Sequence, residues 1–350
     1  MNFFEHQDAA RKRTGRLVAL FILGVAGVFV ATYLVVAGVV LWMQSRGDDG
    51  EVALRSLLDW RLLAGVGAAV FFIIGGGSLF KVAQLRSGGG SYVARHLGGR
   101  LLDRNTNDPL ERRILNVVDE MAIASGTPSP PVFFMDREEG INAFAAGYSP
   151  KDAVIGVTRG CAEQLSRDEL QGVMAHEFSH IFNGDMRLNI RLIGLLNGIL
   201  IVGAIGYFIL RSAVYTGGAR RRSSDDKGGG VIAILALGAG LALIGAIGTF
   251  FGSLIKAAVS RQREFLADAS AVQFTRNPDG IADALSRIGG LSKRARIDNP
   301  NAPEASHMFF GQAVTSGFAG MFATHPPLPQ RIKRITPSWD GTFLPPRRTP

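Results

Sequence analysis

The chain has 350 residues, 47% of them hydrophobic and 19% charged, with a formal net charge of +9. That length can bury a sizeable core, and the basic excess, with no recognised nucleic-acid-binding motif beside it, carries no implication of a nucleic-acid partner. Cys161 is the only cysteine, which excludes an intrachain disulfide and suits a reducing compartment.

The apolar residues are bunched rather than periodic. Uncharged runs extend from Leu17 to Met43, Leu62 to Phe80, Leu192 to Leu210 and Val231 to Ile255. A run of about 18 residues or more crosses the hydrocarbon of a bilayer, whereas a helix of a soluble core is seldom apolar all round for so long. The pattern predicts a multi-pass membrane protein in contact with lipid. A transporter or channel would place ionisable residues inside such runs, and these contain none. The first run lacks a small-residue cleavage site and reads as a retained anchor. Arg11, Lys12, Arg13 and Arg16 precede it, and Lys81, Arg86, Arg95, Arg100 and Arg104 follow the second run. The intervening loop mixes Arg46, Arg55 and Arg61 with Asp48, Asp49, Glu51 and Asp59. Basic flanks favour the cytoplasm, so the amino terminus and the region after the second run are expected there. In the fourth run Gly248 and Gly252 have the GxxxG spacing that lets helices approach closely.

Ser87-Gly88-Gly89-Gly90-Ser91 opens a soluble stretch. Asp108-Pro109 starts a helix, Glu111 completes a capping box and Gly126 ends it. Val132 to Met135, Asn142 to Ala146 and Ala153 to Thr158 are short and apolar enough to be strands. Asn142, Ala143, Phe144 and Ala145 are the candidate edge along which an extended polypeptide substrate could pair. Ser166-Arg167-Asp168-Glu169 is a second capping box, and Leu170, Val173, Met174, Phe178 and Ile181 continue a helical stripe from it.

That helix carries His176-Glu177-Phe178-Ser179-His180. Residues at i and i+4 share a helix face, so both imidazoles of an HExxH motif can reach one zinc ion while the intervening Glu acts on water. A catalytic zinc takes three protein ligands, so one more donor is needed. Glu264 and Asp268, four residues apart on a later helix, fit a ligand plus a carboxylate that orients a ligand histidine. The histidines precede the third run and these acids follow the fourth, so a shared metal requires an even number of crossings, a hairpin. Arg220, Arg221 and Arg222 in its loop pull the other way, toward shallow or re-entrant runs. Pro278 to Gly289 reads as helix, and the tail from Asn299 is richer in Pro and Gly and ends in Arg347-Arg348.

HEFSHIFNGD, the REFLAD segment, the NAFA strand, Thr324-His325-Pro326-Pro327 with Arg331, and the four apolar runs together resemble the HtpX-like membrane zinc metallopeptidases, relatives of the CAAX prenyl proteases. The resemblance implies a mostly α fold with a small β-sheet, a thermolysin-like zinc peptidase domain docked on membrane helices. It implies ATP-independent cleavage of misfolded membrane proteins at the bacterial inner membrane, with the catalytic site facing the cytoplasm. Carried over, His176, His180 and Glu264 are the ligands of one zinc per chain, Glu177 is the general base and Asp268 the orienting acid. His325 and Arg331 match residues that lie near bound substrate in the CAAX proteases, and are candidate donors to the oxyanion; the alternative is that this tail only packs on the core. The chain lacks a Walker-type motif, so ATP use is not expected. The expected segments are a two-helix anchor (1–86), a first catalytic part (87–191), a hydrophobic hairpin (192–255) and a second catalytic part (256–350). The competing reading is a catalytically idle scaffold or chaperone.

Overall fold

The computed structural model describes residues 3–45, 59–219, 228–291, 295–302, 308–311 and 322–347. Arg46, Asp48, Asp49, Glu51, Arg55, Arg220 to Arg222 and Arg348 lie outside the described residues. In chain order the elements are α1 (Phe3–Gln44), α2 (Trp60–Ser87), α3 (Gly89–His96), β1 (Arg100–Leu101), α4 (Pro109–Ser125), β2 (Val132–Met135), β3 (Ala143–Ala146) and β4 (Val154–Thr158). They continue as α5 (Arg159–Gln164), α6 (Arg167–Asn183), α7 (Asp185–Ala219), α8 (Gly228–Thr275), α9 (Pro278–Gly290) and α10 (Leu328–Ile335). The fold is mostly helical with one small mixed sheet, as the sequence predicts.

The chain divides into two compact units. One comprises Val18–Ala83 and Arg191–Ile255, and holds the apolar parts of α1, α2, α7 and α8. All four helices are long and apolar enough to cross a membrane. Within this unit Val28, Val70, Ile74, Ile199, Val202 and Leu241 form the interior. Glycines let α7 and α8 approach closely: a Cβ on Gly206 of α7 would stand 2.3 Å from the Ala242 backbone nitrogen of α8, and one on Gly245 of α8 2.2 Å from the Gly203 Cα. Gly248 and Gly252 are also packed close, against Ile199 and Leu196 side chains respectively.

The other unit comprises Met1–Leu17, Gln84–Ile190 and Lys256–Pro350. Its sheet has the order β1-β2-β4-β3, with β4 parallel to β2 and antiparallel to β3. β3 therefore ends the sheet. Gly156 of β4 lies under the Phe144 ring, where any Cβ would meet it at 2.1 Å. Helix α6 packs between α4 and α9 and carries Leu170, Val173, Met174 and Phe178 into the main core. A Cβ on Gly172 would stand 2.6 Å from the Ile281 backbone nitrogen, so glycine sets how close α9 comes to α6.

The caps explain where the helices begin. Ser166 accepts from the Glu169 amide at 3.2 Å, and Glu169 accepts from the Ser166 amide at 2.5 Å, closing the expected box. At α4 the expected box is half made. Asp108 accepts from the Leu110 and Glu111 amides, but the Glu111 carboxylate turns away to Thr106 at 2.6 Å and Arg100 at 2.8 Å. A charged partner and a hydroxyl outcompete one amide for that carboxylate.

Candidate metal centre

One turn of α6 brings His176 and His180 to the same face, and α8 brings Glu264 opposite them. Their Nε2 atoms are 3.1 Å apart, and the Glu264 oxygens lie 3.6 Å from His176 Nε2 and 3.5 Å from His180 Nε2. These three residues form a group that could hold a metal ion. The donor set and its spacing fit one: ligands about 2.1 Å from a tetrahedral ion stand roughly 3.4 Å from one another.

Each imidazole is held from behind. His176 Nδ1 lies 2.9 Å from Asp268 Oδ1, and His180 Nδ1 lies 2.7 Å from Asp185 Oδ2. A carboxylate at Nδ1 keeps the proton there and leaves the Nε2 lone pair turned inward, as a metal ligand requires. Asp185 was not singled out from sequence. Its position depends on Gly184, whose φ of 69° ends α6 in the left-handed region and folds the chain back toward His180. Arg263, next to Glu264, pairs with Asp185 and donates to the Asn183 carbonyl at 3.0 Å. The only sequence signal for either was the extension of the motif to Asn183-Gly184-Asp185 and the Arg before Glu264.

Glu177 is fully buried, and neither of its carboxylate oxygens has a hydrogen-bond partner among the described residues. Burial raises its pKa, outweighing the two histidines that pull it down. Burial also works against ionisation of Glu264, but His325, His176 and Arg331 hold it well below the usual carboxylate range. Asp268 is lowered in the same way, burial being outweighed by Arg331 and His176. For His176 burial works downward, yet Asp268 and Glu264 carry it up to about 9.

His325 lies in the site, its Nδ1 3.0 Å from Glu264 Oε2. Arg331, a candidate oxyanion donor from sequence, is deeply buried. It is 1% exposed, and its Nε and Nη2 donate to Asp268 at 2.9 and 2.6 Å in a fork. Its Nη1 donates to the Phe310 carbonyl at 3.0 Å and lies 3.3 Å from Glu264 Oε2. The guanidinium is committed to the site's carboxylates, because two buried acids side by side need a buried cation. The Asn142 to Ala145 strand also differs in part. It is the terminal strand, but all four residues are buried, and its outer edge meets Phe309 in an antiparallel bridge to Phe144.

The profile of peptidase family M48 matches residues 109–338. A protease HtpX homolog of Bacteroides fragilis (strain YCH46) is 32% identical over 336 residues, covering 93% of this chain and 95% of that one. Another, of Dictyoglomus thermophilum, is 37% identical over 223 residues, 63% of this chain and 68% of its own. The crystal structure of S. mikatae Ste24p aligns with a TM-score of 0.43 and 16% identity, over 92% of this chain and 62% of that one.

Proposed function

The chain belongs to peptidase family M48, and from that membership we propose that it is a zinc endopeptidase cutting misfolded or damaged membrane proteins without ATP. The observation that carries this reading is the convergence of His176, His180 and Glu264 on one point, with the carboxylate of Glu177 beside them. Those three residues would hold the ion, one per chain, and a mixed nitrogen and oxygen set at near-tetrahedral spacing favours zinc. When bound, zinc supplies Lewis acidity toward a water and the scissile carbonyl.

Glu177 acts as the general base. Its carboxylate takes the proton of the attacking water and later passes it to the leaving amine, and burial shifts its basicity upward as that exchange needs. Asp268 and Asp185 fix the tautomer of the two histidines. His325 is assigned an N–H donated toward the carbonyl oxygen, whose negative charge grows in the transition state. Arg331 is a positioning residue that holds Asp268 and, through it, His176. The strand from Asn142 to Ala145 is assigned to the polypeptide substrate. Removal of metal by a chelator should abolish casein hydrolysis by the full chain in detergent, and added zinc should restore it. Hydrolysis that survives with metal stripped to background would end the metallopeptidase reading.

The site is assigned to the cytoplasmic face of the bacterial inner membrane, supported by the basic cluster Arg11, Lys12, Arg13 and Arg16 before the first span. Residues before α7 and after α8 share one compact unit, which supports a hairpin that crosses twice. Exposed Lys151→Cys and Lys333→Cys should react with an impermeant maleimide from the same side of the membrane, and exposed Ser45→Cys from the other. The buried native Cys161 keeps the background low. Labelling of Lys151→Cys and Lys333→Cys from opposite sides would exclude the hairpin.

A further inference from the structure

The terminal strand β3 should have an outer edge of unpaired backbone groups, yet the chain fills that edge itself. Phe309 bridges Phe144 antiparallel, and the Phe310 amide donates to the Ala143 carbonyl at 2.8 Å. The Asn142 side chain then reads both backbone groups of the next residue: Oδ1 accepts from the Gly311 amide at 3.1 Å, and Nδ2 donates to the Gly311 carbonyl at 3.3 Å. Arg331 Nη1 donates to the Phe310 carbonyl at 3.0 Å. Every one of these bonds is to main chain, so the same groups would hold any extended polypeptide.

The side chains alternate as on a strand. Phe309 enters the cluster of Ala94, Phe133, Phe144 and Val154 on one face of the sheet, and Phe310 enters the α6 core on the other. The Phe310 ring stands edge-on to His176, centroids 4.9 Å apart, with the Arg331 guanidinium 4.9 Å over its face. An aromatic side chain in a fully buried pocket against a metal-centre histidine is where a substrate residue next to the scissile bond would lie.

Resting on the peptidase reading, which assigns the strand from Asn142 to Ala145 to the polypeptide substrate, we propose that residues 309–311 occupy that edge in cis as an autoinhibitory segment, with the large apolar side chain of Phe310 in the pocket at His176, and that a substrate binds only by displacing them. An incoming polypeptide with such a side chain replaces the buried area and backbone bonds of the segment it displaces, so exchange is near balance and unfolded chains rich in apolar residues compete best.

The test reads binding in the Glu177→Gln background, so that it reports the edge whether or not the chain hydrolyses peptides. The probe is a fluorescent peptide with the sequence of residues 307–313, followed by anisotropy with the full chain in detergent. Phe310→Ala weakens the internal competitor and should tighten probe binding about 5- to 10-fold, while a probe with Ala at the position of Phe310 should bind at least 10-fold more weakly. In a second variant, Phe144→Cys with Phe309→Cys, oxidation ties the segment to the edge and should abolish binding that reduction restores. The tether compares one chain in two redox states, so a folding defect cannot imitate the result. Equal binding by the oxidised and reduced forms, or unchanged or weaker binding by Phe310→Ala, would overturn the proposal. Probe binding that responds as expected, together with a wild-type chain that hydrolyses neither casein nor the probe, would sink the peptidase reading alone.

Discussion

Glu177→Gln should leave the chain folded and loaded with metal while peptide hydrolysis falls by about 10²- to 10⁴-fold, the usual contribution of a positioned general base. The substitution is nearly isosteric, and Glu177 contributes no donor atom to the group formed by His176, His180 and Glu264. Its carboxylate oxygens make no close hydrogen bond among the described residues, and glutamine keeps an oxygen that can face the Ala145 amide as the carboxylate does. Metal content by emission spectroscopy and thermal unfolding in detergent should match wild type, and kcat should carry the loss. His176→Ala should instead lose metal and hydrolysis together. A Glu177→Gln chain that cleaves near the wild-type rate would remove the base from the mechanism, whatever the metal content.

Arg331→Ala should cost about 3–5 kcal/mol of stability, the range for removing one partner of a buried ion pair. Arg331 is 1% exposed and forks onto Asp268, which is itself buried and holds His176 Nδ1 at 2.9 Å. Without the guanidinium the acid is left uncompensated in the core, and the imidazole it orients loses its restraint. Thermal unfolding should shift down and metal affinity should fall, with loss of activity following from both. Lysine at this position should rescue only part, because a point charge cannot reproduce the two parallel bonds to one carboxylate. A variant with wild-type stability and metal content but a low kcat would return Arg331 to the role of direct oxyanion donor.

Much of the centre was legible along the chain because its signals are local. The Ser166 and Glu169 box, the stripe from Leu170 to Ile181 and the one-turn spacing of the histidines all act within a helix, where spacing alone decides which side chains meet. The four helices long and apolar enough to cross a membrane were legible for a similar reason, since length and absence of charge are local properties of the chain. Glu264 and Asp268 could be read as a pair for the same helical reason, but only the nearby HExxH gave that pair a meaning.

Tertiary structure alone decided the rest. Arg331 and Asp268 are 63 residues apart, and the Asn142 amide reaches Gly311 across 169. No periodicity links such positions; packing of α10 beside α8, and of residues 309–311 on β3, brings them together. From sequence the roles of oxyanion donor and packing residue stayed open for Arg331, because its burial and the fork onto Asp268 exist only once the helices are assembled. Asp185 was hidden differently: it follows the motif directly, yet only the left-handed turn at Gly184 aims it at His180 rather than at solvent. The sequence by itself determined the four long apolar helices, the helix that carries the histidines and the chemistry those residues offer. The order of strands, the occupant of the sheet edge and the ion pairs that hold the centre followed from long-range packing, because a chain specifies its helices by near neighbours and its charge pairing only by burial.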